Sequence, residues 1–426
     1  MKRFAALMAL ALMAGAGFAQ TPVATETKLS PAQLSMERAQ KLIDRRPQDF
    51  EAYNALALAL SRRARETSDV TYYTRAEDAL KKSYAISPDN FDGRRIGVWL
   101  LLGKHEFAAA REQALSLNKR MKDDVMVYGF LTDANVELGN YKEAEEACQW
   151  MLNLKPANSP AVTRAAYLRE LFGDPEGAID LMDMALDSTQ PFEFEDRAWI
   201  TTQLAHLKLT MGKVDESEKL SLQALTLFPG YHYALQNLAK VRIQQGRFTE
   251  AVELLQQRYN AAPHAENEFE LAVAMRLAGR EEDAKKAFAD FERRSLLETN
   301  IGDNSNHELI FYYADEANEP AKALEVARRE MARRHDVFTT DAYAWALFKT
   351  GQYAEARKQI DAALAVGIQD ARMLRHAGEI SEKQGDRKAA AEYLNKAAAL
   401  NTVESVRAKM LLDELNVQMT SVQRSR

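Results

Sequence analysis

The middle of the chain carries aromatic, amide and cationic side chains whose spacing places them about one helical turn apart. The set comprises Arg164, Tyr167, Trp199, Gln203, His206, Tyr233, Gln236, Asn237 and Lys240. Amide and basic side chains hydrogen-bond a peptide main chain or a carboxylate, and aromatic rings supply rigid contact area. The set therefore predicts a protein-binding groove. The alternative is that Trp199 and Tyr233 only pack between helices.

Motifs for catalysis or metal binding do not stand out in the sequence. The seven histidines are scattered, and none forms HExxH or another paired ligand spacing. The sequence also contains no GxSxG elbow. It has no Gly-rich phosphate loop either, since the closely spaced Gly15 and Gly17 belong to the N-terminal signal segment. Tyr167, His206 and Lys240 could line a chemical site, yet no base, nucleophile and orienting group fall at a recognisable spacing. We expect no catalytic residue, cofactor or metal, and keep an enzyme or small-molecule binder as the alternative.

A second candidate patch lies further along the chain. Phe338, Asp341, Trp345 and Phe348 are spaced like one face of a helix but are more apolar than the first set. Packing in a core or between two lobes is the favoured interpretation. A self-associating structural subunit, in which the Trp345 face joins two copies into a homo-oligomer, is the alternative.

A repeated spacing of small residues defines the elements that carry these side chains. Gly is followed five residues later by Ala at Gly103/Ala108, Gly139/Ala144, Gly173/Ala178, Gly246/Ala251, Gly279/Ala284, Gly351/Ala356 and Gly385/Ala390. Gly212/Ser217 has a hydroxyl instead, and Asn318/Ala323 fills the gap before Gly351. An earlier copy is Thr71/Ala76. The period of about 34 residues is typical of a helical repeat array.

The backbone geometry of one repeat explains which residue types occur at its fixed positions. Each Gly ends a helix in a left-handed turn that a side chain would strain. A second helix follows, often stopped by Pro, as at Pro229 and Pro263. Two helices joined so tightly need small residues where they cross, which accounts for the Ala after each Gly and for Ala166, Ala205 or Ala239 before it. A bulkier side chain there should cost about 1–3 kcal/mol.

These paired small residues, the Gly-x-aromatic-x-x-Ala turn and the terminal Pro resemble the tetratricopeptide repeat (TPR) superfamily. The resemblance covers roughly Phe50 to Thr402 and implies an all-α, right-handed superhelical solenoid of about ten stacked antiparallel helix pairs. It also implies that the first helix of each pair lines an inner groove. Residues thirteen, nine and six positions before each Gly should then face inward. The stretch "RRHDVFTTDAYAWALFKTGQYAEA" is similar to exported bacterial TPR proteins.

The same pattern divides the chain into segments. We assign residues 1–19 to a signal peptide, 20–29 to a disordered leader, 30–47 to an N-terminal capping helix, 48–296 to repeats one to seven, 297–402 to repeats eight to ten, 403–416 to a C-terminal capping helix and 417–426 to a frayed tail. Ser30 and Gln33 form the capping box that starts the first helix. Val406, Met410, Leu411 and Leu415 should seal the last repeat.

Three irregular segments interrupt the repeat pattern. An insertion spans residues 64–70, and longer loops span 187–196 and 295–304. At the two long loops the superhelix could kink or divide into two lobes.

The N-terminal residues read as a cleavable secretory signal. Lys2 and Arg3 precede an apolar stretch from Phe4 to Ala14 that is too short to span a bilayer. Cleavage is expected after Ala19, and a short membrane anchor is the alternative. We therefore expect a periplasmic or secreted protein with no stable membrane insertion after cleavage.

Charge and cysteine content narrow the choice of partners. Formal charge is -6 for the whole chain. An acidic chain is a poor candidate for holding phosphate backbones, so we expect no nucleic-acid partner. The single Cys148 excludes an intrachain disulfide. The sequence as a whole predicts a non-catalytic protein-protein interaction scaffold of the bacterial cell envelope, which holds peptide or helical segments of a partner.

Overall fold

The computed structural model describes residues 29–67, 69–299 and 304–424, with side chains to 417, and is all-α throughout these ranges. The signal peptide, its cleavage site and the leader up to residue 28 lie outside the described residues. The helices are α1 Pro31–Arg45, α2 Phe50–Thr67, α3 Thr71–Ile86, α4 Phe91–Gly103, α5 Phe107–Arg120, α6 Val125–Glu137, α7 Tyr141–Leu154, α8 Ser159–Leu171, α9 Pro175–Ser188, α10 Phe194–Thr210, α11 Val214–Leu227, α12 His232–Gln244, α13 Phe248–Ala261, α14 Ala265–Leu277, α15 Glu281–Glu298, α16 Asn306–Phe311, α17 Pro320–Met331, α18 Val337–Lys349, α19 Tyr353–Leu364, α20 Ala371–Lys383, α21 Arg387–Ala399 and α22 Val403–Arg424.

Ten antiparallel pairs, α2/α3 to α20/α21, form the array over the described ranges, which confirms the predicted fold. We call the even-numbered members α2 to α20 the inner helices and the odd-numbered members α3 to α21 the outer helices. Small residues at the crossings are fully buried, as with Ala144, Ala166 and Ala239. At Gly378 a Cβ would lie 2.7 Å from Leu394, so the crossing excludes any side chain there.

The turn between paired helices is left-handed, as predicted, but its position in the second pair differs from the prediction. Gly139 and Gly246 have φ values of 73° and 72°, and Asn318 has a φ of 54°. In the second pair His105, with a φ of 57°, takes the glycine position, and Ala110 is the buried crossing residue. The Gly103/Ala108 assignment is therefore wrong by two residues. Gly103 is instead the last residue of α4, where the ring of Tyr73 packs 2.6 Å from the position that a Cβ would take.

The two ends of the array are capped by single helices. The Ser30 hydroxyl accepts the Gln33 amide N–H and the Gln33 side chain accepts the Ser30 N–H, so the predicted capping box is confirmed. At the other end Leu415 is buried on the last repeat, whereas Val406 and Met410 point outward. The predicted sealing face is thus rotated, and the helix extends to Arg424 where a frayed tail had been expected from residue 417.

The irregular segments lengthen helices or alter their winding. α2 has 18 residues and α10 has 17, against 13 in α4, α6 and α8, so the insertion at 64–70 and the loop at 187–196 each extend an inner helix. α16 continues as a π-helical turn, Tyr312–Glu316. None of the helices within the described residues has the length and apolar character needed to cross a membrane.

The array coils so tightly that its second turn rests on its first. The His335 N–H donates to the Glu137 carbonyl over 2.9 Å. A Cβ on Gly173 would lie 2.4 Å from the Gly367 carbonyl oxygen, and one on Gly212 would lie 2.7 Å from that of Leu400. We call these three contacts the inter-turn seam. It brings residues almost 200 positions apart together and closes the inner helices into a ring.

Candidate binding cavity

The ring of inner helices lines a cavity of about 980 Å³ that is partly open to solvent. Aromatic residues from five inner helices line it: Trp99, Phe130, Tyr167, Trp199 and Tyr233. A smaller cavity of about 370 Å³ adjoins it and shares Arg62, Trp99, Met126 and Phe130 as lining residues. Concave sites with apolar walls and a few fixed polar groups are the usual form of ligand sites.

Arg164 is held rigidly in the cavity wall by the preceding repeat. Its Nε and Nη2 donate to the two carboxylate oxygens of Asp133 over 2.7 and 2.6 Å, and Nη1 donates to the Pro160 carbonyl over 2.9 Å. Gly129 leaves room for the guanidinium, since a Cβ there would lie 3.3 Å from it. The bidentate pair fixes the plane of the guanidinium and neutralises its charge.

Tyr167, Trp199, Gln203 and Tyr233 also line the cavity. They stand thirteen, nine or six residues before a turn Gly, positions that we call the inward register and that were predicted to face inward. Tyr167 is 37% exposed to the cavity. The surrounding protein nevertheless raises the pKa of its phenol well above the ordinary value, chiefly by desolvation. The Tyr233 ring lies 3.9 Å from the ring of His232, which holds it in place.

His206, Gln236 and Lys240, which were predicted for the groove, do not line the cavity and are tied to acidic neighbours. His206 Nε2 lies 2.8 Å from a carboxylate oxygen of Glu170, a residue of the cavity wall, and the His206 side chain is 40% exposed. Gln236 donates to Glu270 over 2.6 Å, and Lys240 lies 3.7 Å from the same carboxylate. The contacts of His206 and Lys240 are thus with different acids, so they do not assemble with Tyr167 into one reactive group.

Asn237 is a correction to the predicted groove. Its side chain is only 5% exposed and donates to the hydroxyls of Ser217 and Ser221 over 3.0 and 2.9 Å. Ser217 stands where other repeats have Ala, and its buried hydroxyl donates to the Ala205 carbonyl. A buried hydroxyl needs partners, so Asn237 turns between the helices and away from the cavity.

The second candidate patch belongs to the core, as the favoured interpretation had it. Trp345 is 1% exposed, stacks on His376 at 4.0 Å and donates its indole N–H to Asp315 over 3.0 Å. Asp341 is fully buried, with an oxygen 2.7 Å from His376 Nδ1. Phe338 and Phe348 are half-buried against the same cluster. A homo-oligomer joined through Trp345 is therefore ruled out, because that face is inside the molecule.

Several wall residues escaped the sequence reasoning. Met126, Phe130 and Asp133 stand thirteen, nine and six positions before Gly139, so the inward register finds them when extended one repeat back. Trp99 stands six before His105 and was hidden by the misplaced turn. Their signal was present in the sequence.

Other wall residues left no signal of their cavity position in the repeat register. Glu137 follows the last inward position of its helix, and Arg334 lies in a loop of the second superhelical turn. Burial raises the pKa of Glu137 to about 7, and the Asp336 charge adds to this effect. The positive charge of Arg334, 3.5 Å from Glu137, acts in the other direction and lowers the Glu137 pKa, so it offsets part of this rise.

Metal coordination has no candidate site here: the described part of the chain contains no group of three or more His, Cys, Asp or Glu side chains placed to hold an ion. The cavity offers fixed hydrogen-bonding groups between aromatic walls. Such a surface can hold a chain segment by stacking and hydrogen bonding.

Comparison with known proteins gives family matches at two places. Two models described as tetratricopeptide repeat match residues 196–264 and 342–403. No curated protein sequence matches the chain.

Solved structures with detectable similarity include three helical-repeat proteins. The human IFIT1 dimer with PPP-AAAA is 12% identical over 88% of this chain and 96% of that chain, with a TM-score of 0.49. Yeast Tom70 is 12% identical over 91% and 96%, with a TM-score of 0.42. PilW, described as a widely conserved type IV pilus biogenesis factor, is 14% identical over 48% and 92%, with a TM-score of 0.41.

The family matches fall on α10 to α13 and on α18 to α21, and each of the nine pairs from α4/α5 to α20/α21 has a left-handed residue in its turn. The chain is a member of the tetratricopeptide repeat superfamily.

Proposed function

We propose that the protein is a non-catalytic interaction scaffold of the bacterial cell envelope that holds a peptide segment of a partner protein in the ring of inner helices. The observation that carries the proposal is the cavity wall. Tyr167, Trp199 and Tyr233 present rings to open space at positions that the helix pairing leaves free. Gln203 and the Arg164–Asp133 pair supply hydrogen-bonding groups between them.

The size of the cavity suits a short extended segment. Taking a strand as about 4.8 Å by 10 Å in cross-section and about 3.3 Å per residue, 980 Å³ holds roughly six residues. Stacking against fixed aromatic rings and hydrogen bonds to amides would bind such a segment with little loss of side-chain freedom in the wall. The acidic formal charge argues against a nucleic-acid partner.

A second candidate is a small-molecule binder. The cavity volume lies near the top of the usual range for small-molecule sites, and Glu170, a wall residue, pairs with His206. A photoreactive group placed in the cavity distinguishes the two functions. It would capture a partner protein if the cavity holds a peptide segment, and no protein if the cavity holds a small molecule.

The test uses the photoreactive amino acid p-benzoylphenylalanine in place of Trp199 in the producing cell. Leu222 on the outer helix α11 is the matched control, since it is apolar and exposed. We expect a discrete protein adduct at 199 and not at 222, mapped to one peptide by mass spectrometry. Tyr167→Ala should lower its yield roughly fivefold, as loss of an aromatic anchor does. Recovery in the periplasmic fraction, on chains that start at Gln20, would support the envelope location.

Other outcomes would overturn the proposal. Identical adducts at 199 and 222 would mean that the cavity is not the binding surface. Absence of protein adducts at 199, with a small molecule found on the native protein by mass spectrometry, would favour the second candidate. Adducts confined to cytoplasmic chains that retain Met1 would refute the location.

A further inference from the structure

The helix that caps the C-terminal end of the array is apolar on two opposite sides. α22 packs on α20 and α21 through its inner side, where Ala408 is 0% and Leu415 is 1% exposed. Its outer side carries a row of exposed apolar residues, which we call the α22 outer row: Val403, Val406, Met410 and Val417. A terminal helix needs an apolar inner side to cover the last repeat, but a polar outer side keeps a repeat array soluble. The outer row is therefore an apolar surface that the fold of one chain does not use.

The spacing within the α22 outer row is that of helices that pack side by side. Its members are three, four and seven residues apart, so they follow one side of the helix over about 21 Å. They are between 43% and 70% exposed. The helix has 22 residues, whereas α20 and α21, on which it packs, have 13 each. The row thus has the form of a contact surface for another helix.

Charged residues beside the row indicate which helix fits it. Arg407 lies three residues before Met410, and Asp413 and Glu414 lie three and four residues after it. All three charged residues are exposed, and within the described residues none of them has an ion-pair partner. In an antiparallel pair of α22 helices centred near Met410, these charges are complementary, because Arg407 of each copy faces Asp413 and Glu414 of the other. A parallel pair would instead place Asp413 against Asp413 of the second copy, where like charges repel.

We propose that the protein forms a symmetric dimer in which the α22 outer rows of two copies pack antiparallel. A two-fold axis near Met410 uses the same surface on both copies, as an interface with this symmetry requires. Val403 then meets Val417 of the second copy at each end of the row. None of the described residues of α22 lines the cavity, so the dimer leaves the cavity free and does not depend on the proposed function.

The first test determines the orientation of the two helices with engineered cysteines and a short bis-maleimide crosslinker. Val403→Cys and Val417→Cys place thiols at opposite ends of the row. After subunit exchange a mixture of the two variants should crosslink, whereas neither variant should crosslink alone, because equal positions lie about 21 Å apart. Native Cys148 is buried, and burial raises the pKa of its thiol to about 11, so it reacts little.

The second test measures the dissociation constant of the dimer by sedimentation equilibrium. Val406→Asp combined with Met410→Asp should raise this constant about a hundredfold or more, because two exposed contacts in each copy become charged. Leu222→Asp on the outer helix α11 is the matched control, since Leu222 is also apolar and exposed, and it should leave the constant unchanged. Far-UV circular dichroism checks that each variant keeps its helices.

The third test reverses the charges, which leaves the apolar row intact. Arg407→Glu should raise the dissociation constant about tenfold or more, because it places like charges across the interface. Adding Asp413→Lys and Glu414→Lys to the same chain should restore the dimer, since every pair is then reversed.

Four results would overturn the dimer. A monomer at every concentration up to about 100 μM would show that the row does not associate. Crosslinking of either cysteine variant alone would contradict the antiparallel orientation. An unchanged dissociation constant in the Val406→Asp/Met410→Asp protein would place the interface elsewhere. Failure of the complete charge reversal to restore the dimer would contradict the proposed pairing.

Discussion

Trp199 and Trp345 lie on inner helices in the two halves of the array, and only one of them faces open space. Trp199 lines the cavity between α8 and α12. Trp345 is stacked between His376 and Phe348 and is fully buried. In the second half Phe311 of α16 stacks on His376 of α20, which also stacks on Trp345 of α18, so aromatic rings occupy the space between these inner helices. An aromatic residue on an inner helix thus indicates binding only where its neighbours leave the axis open.

The comparison also separates two uses of polar groups. In the first half Arg164 is paired to Asp133 at the edge of open space. In the second half His376 and Asp341 are paired inside the core. Burial alone would raise the pKa of Asp341, but the facing His376 lowers it below its ordinary value. A hydrogen-bonded carboxylate therefore positions a wall residue in one half and is itself satisfied inside the core in the other.

The largest expected difference is between alanine variants of the two tryptophans. Trp345→Ala should lower the free energy of unfolding by about 3–5 kcal/mol, because it leaves a void in the core and removes the partner of Asp315. Trp199→Ala should cost about half as much or less, since its ring is partly exposed. Urea denaturation followed by circular dichroism measures both. Equal losses would mean that the two halves are packed alike and that the cavity is not open.

Much of this contrast could be predicted from the sequence. The glycine period predicts the ten pairs, and the inward register predicts Arg164, Tyr167, Trp199, Gln203 and Tyr233. Both rest on local physics: a left-handed turn and a helical period. The register fails at Asn237, because Ser217 stands where other repeats have Ala and its buried hydroxyl accepts from the Asn237 side chain. It also fails at His206 and Lys240, which pair with Glu170 and Glu270 and do not line the cavity.

The closure of the ring could not be predicted in the same way. Contacts such as Gly173 with Gly367 depend on the small rotation between successive repeats. An error of a few degrees in each repeat accumulates over one superhelical turn. For the same reason the ion pair of Arg65 with Glu195 and the place of Glu137 in the wall emerge only from the folded chain.

Gly173 and Gly246 hold the same turn position in two different repeats. Comparing them separates the contribution of the inter-turn seam from that of the turn itself. Gly173→Ala and Gly246→Ala both place a side chain on a left-handed residue, which costs about 1–2 kcal/mol. Only Gly173 lies against the second superhelical turn; nothing lies within 4 Å of a Cβ on Gly246. Gly173→Ala should therefore cost about 1–3 kcal/mol more in urea denaturation. It should also speed amide hydrogen exchange in the loop around Gly367. Similar costs and unchanged exchange would contradict a tight seam.

The smallest expected effect comes from Glu137, where the two halves meet. Burial raises its pKa from 4.5 to about 7, so between these values the folded protein keeps a proton that the unfolded chain has released. Its contribution to stability falls as pH rises through that window. Glu137→Gln should therefore be near neutral at pH 5 and stabilise by about 1–2 kcal/mol at pH 8, after allowing for solvent screening. Urea denaturation at both pH values measures the difference. Glu143→Gln, which removes a charge from an exposed position, is the control and should show the same effect at both pH values. A Glu137→Gln variant that stabilises equally at pH 5 and pH 8 would mean that the carboxyl is ionised throughout, and that water reaches the boundary between the two halves.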